Sequence, residues 1–141
     1  GVQTCALPIY ALAKHLQRAG YCAGHCNGQA LAIADGGQCV IVRWDGNSNG
    51  TWDLAPEADA DSTGFRLRDG ALETRRGVTD CGGKNWEKMT NPAAITVTRF
   101  QVERQAVSGF SPELIVTLGA QAQSDSRISA EAQYQVTGFN L

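Results

Sequence analysis

The hydrophobic period of this chain changes once, and that change limits the folds open to it. Residues 10–20, Tyr-Ala-Leu-Ala-Lys-His-Leu-Gln-Arg-Ala-Gly, place Leu12, Leu16 and Ala19 at i, i+4 and i+7. That spacing is one face of a helix, with Lys14, Gln17 and Arg18 off it. Gly20 suits the C-terminal cap. From Gln38 onward the period is two. Cys39–Trp44 is a β-branched run that predicts a strand. Gly64–Arg68 and Ala71–Arg76 flank Asp69-Gly70, a strong hairpin signal. Alternating runs at 95–102, 114–118 and 132–137 predict three further strands, and residues 77–92 read as a loop. One helix followed by consecutive strands predicts an α+β fold, with the helix packed on one face of an antiparallel sheet.

Composition narrows the function classes. The 141 residues suffice for one domain, and 43% hydrophobic with 18% charged residues is a globular balance. Twelve Lys and Arg against fourteen Asp and Glu give a net charge of −2, which argues against nucleic-acid binding by this domain. No apolar run approaches the length of a membrane span. The first nine residues, Gly-Val-Gln-Thr-Cys-Ala-Leu-Pro-Ile, read as the translation of a sequencing-library adapter and are set aside with Cys5. The four remaining cysteines, Cys22, Cys26, Cys39 and Cys81, suggest two disulfides formed in an oxidising compartment. Three pairings are open. We favour Cys39–Cys81, closing a loop of about 40 residues, with Cys22–Cys26 as a local staple. A zinc site from Cys22, His25, Cys26 and Cys39 matches the usual zinc spacings poorly.

Several residue groups could carry chemistry. Asp45, Asn47, Asn49 and Asp53, with the Thr51 carbonyl, offer oxygen at alternate positions, and Gly50 is the sixth residue, as in a calcium loop. The twelfth position is Pro56, and Glu57 comes one residue late. Calcium is the one cofactor the sequence suggests. The same Asn and Asp residues equally suit a turn capped by their own side chains. Arg66, Arg68, Arg75 and Arg76 gather around the hairpin, with Arg66 and Arg68 on one face of their strand. They read as a docking surface for an acidic partner or as an ordinary solvated sheet face. Trp44, Trp52 and Trp86 could stack a ligand or fill a small core; Trp86 is placed to cover a Cys81 disulfide, and Trp52 to be the most exposed. His15 and His25 have no Ser or Asp at recognisable triad spacing, and no catalytic residue is assigned.

Taken in order, the residues resemble a known family. A helix ends in Leu16-Gln17-Arg18-Ala19-Gly20-Tyr21, a strand runs Cys39-Val40-Ile41-Val42-Arg43-Trp44-Asp45, and Asn47-Ser48-Asn49-Gly50 follows. Gly64-Phe65-Arg66-Leu67-Arg68-Asp69-Gly70-Ala71-Leu72-Glu73 comes next, then Cys81 and Trp86-Glu87-Lys88-Met89-Thr90-Asn91-Pro92. Over residues 10–141 the chain resembles the type IV minor pilins of the PilW and prepilin-peptidase-dependent protein B group, related to the J-type pseudopilins of type II secretion. The family's N-terminal motif, a prepilin cleavage site followed by Phe and Glu, is absent from this sequence.

The resemblance implies a pilin-like fold in which residues 10–21 end a long N-terminal helix and residues 22–141 form a periplasmic head. It implies a non-enzymatic subunit that primes pilus assembly at the inner membrane and the filament tip. Its partners would be other minor and major pilins, and the inner membrane through an N-terminal helix that is missing here. Leu12, Leu16 and Ala19 would seat the helix on the sheet. The alternatives are a J-type pseudopilin and, from another class, a secreted calcium-binding β module whose stability would depend on metal.

Overall fold

The computed structural model describes residues 6–54 and 60–141. Helix α1 spans Ala6–Arg18, four residues earlier than the periodicity from Tyr10 suggests. Pro8 lies in its first turn, where a missing N–H costs nothing. Ile9 extends the apolar face of Leu12, Ala13 and Leu16, and all four are buried. Of residues 1–9, read as adapter, 1–5 lie outside the described residues and 6–9 form the first turn of α1. Gly20 has φ +90 and donates its N–H to the Arg43 carbonyl at 2.9 Å, so the chain leaves the helix directly onto a strand end. No helix among the described residues is long and apolar enough to cross a membrane.

The strands form two antiparallel sheets where a single sheet is expected. The first holds β1 (Leu31–Ala34), β2 (Cys39–Arg43), β3 (Ser62–Arg68), β4 (Ala71–Arg76) and β5 (Glu87–Lys88) in that spatial order. The second holds β6 (Ile95–Gln105), β7 (Glu113–Ala122) and β8 (Ser129–Thr137). The break follows from the 89–94 crossover, which leaves β4 and β5 and starts a new strand. Val97 N–H still reaches the Gly70 carbonyl at 2.8 Å, so the hairpin turn of one sheet abuts β6 of the other. Both Asp69 (φ 52) and Gly70 (φ 74) have positive φ, the two-residue turn that the Asp-Gly signal implies.

One core serves both sheets and the helix. It joins Leu12 and Leu16 of α1 with Val40, Val42, Phe65 and Leu72 of the first sheet and Phe100, Val102, Leu114 and Val116 of the second. The register explains which side chains enter it. Val40, Phe65 and Thr74 lie opposite one another, as do Cys39, Arg66 and Glu73 one residue along. Period two puts the first row on the core face and the second on the outer face.

Candidate functional site

The helix seat is the first feature the sequence pattern builds. Leu12, Leu16 and Ala19 are all almost wholly buried. The opposite face, with Tyr10, Lys14, Gln17 and Arg18, is exposed. Tyr10 meets Tyr134 of β8 edge-on at 6.4 Å, and the Lys14 ammonium lies 5.6 Å from the Tyr10 ring centre. Along β8 only Val136 is buried and only Thr137 half-buried, so the outer helix face and β8 form one exposed surface.

The Asp45–Asp53 loop is organised by its own polar groups. Asp45 is fully buried. Its Oδ2 accepts from Ala23 N at 3.1 Å and Gly50 N at 2.8 Å, and its Oδ1 from Asn49 N at 3.1 Å. Burial pushes this carboxyl up, but the backbone N–H donors outweigh it and hold the group below the usual aspartate value. Asn47 Oδ1 accepts from Asn49 N at 3.3 Å, and Asn49 Oδ1 from Thr51 N at 3.1 Å. Asp53 accepts from Asn49 Nδ2 at 2.6 Å and Thr51 Oγ1 at 3.1 Å. The side-chain oxygens named for calcium thus meet N–H and O–H partners of the protein itself. Pro56 and Glu57 lie outside the described residues.

Asp61, which no sequence pattern marks, completes this loop. It is buried, accepting from Gly46 N at 3.0 Å and Asp53 N at 2.7 Å. The loop also rests on the 21–26 segment. Trp52 Nε1 donates to the Tyr21 carbonyl at 3.0 Å, so Trp52 is half-buried where exposure is expected. Cys22 and Cys26 are bonded to each other, beside Gly50.

The second disulfide joins Cys39 of β2 to Cys81. All four thiols named for zinc or disulfides are therefore in disulfides and are not ligands. Over the outer face of the first sheet lies the 77–86 loop, and this corrects the reading of Arg66. Arg66 belongs neither to a docking surface nor to a solvated face: it is buried, with 6% exposure. Its Nε donates to Glu73 Oε1 at 2.8 Å, its Nη1 to the Cys81 carbonyl at 2.8 Å, and its guanidinium stacks 4.2 Å from the Trp86 ring centre. Alternation places Arg66 on the outer face, but cannot show that a loop closes over it. Gly64 permits the roof, since a Cβ there would come within 2.7 Å of both Trp86 and Val78. Arg68 shares that face beyond the roof and is exposed.

His15 forms a third cluster that helical periodicity leaves unassigned. Trp44 Nε1 donates to its Nδ1 at 3.2 Å, and its ring meets Phe65 edge-on at 5.3 Å. Burial, then Arg18, then Arg76 lower its pKa to about 4. Arg18 itself stacks 4.9 Å from the Trp44 ring centre. His25 lies exposed in the Cys22–Cys26 loop.

With this geometry the chain can be set beside known proteins. A family model described as prepilin peptidase-dependent protein B matches residues 6–138. The chain is 55% identical over 135 residues to the prepilin peptidase-dependent protein B of Escherichia coli strain K12, covering 96% of this chain and 72% of that protein. In structure it is similar to a type IV-like pilin from Thermus thermophilus, with a TM-score of 0.68 at 17% identity, over 99% of this chain and 97% of that one. A helix seated by one face in an antiparallel β head, matched along almost its whole length in sequence and in fold, places the chain in the prepilin peptidase-dependent protein B family, with the α+β fold of a type IV-like pilin.

Proposed function

We propose that this chain is a minor pilin: a non-enzymatic subunit that takes part in priming type IV pilus assembly at the inner membrane and the filament tip. The observation that carries this reading is the division of α1 into a wholly buried face and an exposed face that continues onto β8. Such a helix is rigidly attached to its head while presenting a lateral surface, which is what stacking into a fibre requires. Two disulfides agree with a head that folds in the periplasm before leaving the cell on the pilus. Other pilins are the partners this predicts, and no bond is made or broken by the protein.

The test is genetic. The intact gene should restore surface pili, counted by electron microscopy, to a strain lacking it. A variant with Tyr10→Asp and Lys14→Asp on the exposed face should be produced and folded but should not restore them. Unchanged pilus numbers in the deletion strain would end this reading, and a loss of protein secretion in their place would favour the J-type pseudopilin.

A further inference from the structure

A cleft of about 500 Å³ opens between α1, Trp44 and the β3–β4 hairpin. We infer that it is a carboxylate-binding site built on the His15 N–H and the Arg76 guanidinium, a role independent of how the protein stacks into a filament. The volume falls in the range of small-ligand pockets. Its chemistry follows from counting donors and acceptors.

An indole N–H can only donate. The 3.2 Å contact from Trp44 Nε1 therefore makes His15 Nδ1 the acceptor, and the neutral ring carries its proton on Nε2. That N–H makes no hydrogen bond among the described residues. Arg76 gives Nε to the Ala60 carbonyl at 2.8 Å, and its two terminal nitrogens have no described partner. The Asn47 amide nitrogen and the Thr63 hydroxyl, also in the lining, are likewise unspent. On the acceptor side, both Asp61 oxygens are taken by Gly46 and Asp53. Thr74 donates to Gly64, and Arg75 to the Lys84 carbonyl. Glu87 is the lining carboxylate that remains, and it is exposed on β5. Side-chain donors outnumber acceptors, so the fitting ligand group accepts hydrogen bonds, and the Arg76 guanidinium, which has no described ion pair, favours one that carries negative charge.

The electrostatics agree. After burial, the cations that hold His15 neutral are Arg18 on its own helix and Arg76 on β4. An anion between them would reverse that field. The remaining protonation site, Nδ1, already accepts from Trp44 Nε1, so the ring meets the anion as a neutral Nε2–H donor, and affinity should change little between pH 7 and 5.

The carboxylate could belong to a free small acid or to a glutamate side chain of another protein, and two probes separate these sources. The His15 imidazole nitrogens are followed by NMR at pH 6, at constant ionic strength, with acetate, a blocked Gly-Glu-Gly peptide and its Gly-Gln-Gly counterpart. Acetate or the Glu peptide should shift the Nε2 signal, and the Gln peptide should not. Comparable affinities for acetate and the Glu peptide would indicate a free acid, and much tighter peptide binding a protein side chain. Arg76→Gln, at an exposed position, should leave the spectrum of the fold intact and weaken binding about tenfold. The inference is overturned if neither carboxylate shifts His15 at saturating concentration. It is also overturned if the Gln peptide binds as well as the Glu peptide, or if Arg76→Gln binds unchanged.

Discussion

His15 is a basic side chain placed where charge is disfavoured, and stability should register this. In the folded protein its pKa is about 4, against 6.5 for the free side chain. The unfolded chain therefore gains a proton as pH falls through 6.5, while the folded protein does not until about pH 4. Across that window the native state should lose stability, by at most about 3 kcal/mol. The check is urea unfolding at pH 7, 5 and 4: His15→Gln should flatten the decline, and parallel curves for the two proteins would refute it. Asp45 acts in the same direction lower down, since its depressed pKa gives stability that is lost as pH drops below the ordinary aspartate value. The loop around Asp45 supports a second expectation. Protein donors already hold its Asp45, Asn47, Asn49 and Asp53 side-chain oxygens in place without a metal, so the melting temperature should be the same in excess calcium and in chelator. A rise with calcium would support the metal reading. At this scale the sequence was legible where chemistry is local: the Cys22–Cys26 staple and an Asx-rich turn follow from spacing, whereas Cys39–Cys81 was the favoured one of three open pairings. The roles of His15, Asp61 and Arg66 do not follow from spacing, because each takes its role from a segment distant along the chain.

Elements were legible in proportion to their length. β6 and β7, with 11 and 10 residues, stand out by period two, and the hairpin of β3 and β4 by its Asp-Gly turn. β1 and β5, with four and two residues, carry too few alternations to register, and tertiary pairing makes them strands. The partition into two sheets was equally hidden, since it depends on where the 89–94 crossover sends the chain. The end of α1 is different, because a single residue controls it. A Cβ on Gly20 would sit 2.2 Å from the Asn140 carbonyl oxygen, so the C-terminal segment closes against the helix end only when glycine is there. Gly36 also has positive φ, at +67, but a Cβ there would meet nothing within 4 Å. Gly36→Ala should therefore cost only the backbone strain, about 1 kcal/mol. Gly20→Ala should cost roughly 2 kcal/mol or more, strain plus collision. Denaturant midpoints compare the two directly. Equal losses would mean that the C-terminal segment does not pack on the helix as described.

On the scale of the whole molecule, the two disulfides differ in what they close. Cys22–Cys26 spans a separation of 4, within one surface loop, whereas Cys39–Cys81 spans 42 and encloses β3 and β4. Chain entropy alone assigns about 2 kcal/mol to the first and about 4 kcal/mol to the second. The larger bond also anchors the roof of the first sheet, because the Cys81 carbonyl receives Arg66 and Trp86 stacks on that guanidinium. Arg66 and Glu73 are both buried, so truncating Arg66 leaves a buried carboxylate unpaired, at a cost of about 3 kcal/mol. If the disulfide and the ion pair hold the same loop, their losses cannot be independent. Once Cys39→Ala with Cys81→Ala has loosened the roof, water reaches Glu73, and removing Arg66 should cost less than in the bonded protein. A double-mutant cycle by urea unfolding should thus give a combined loss at least about 1 kcal/mol below the sum of the two. Strict additivity would show that the 77–86 loop is held by Trp86 and Val78 against Gly64, with the covalent bond contributing only through the unfolded chain.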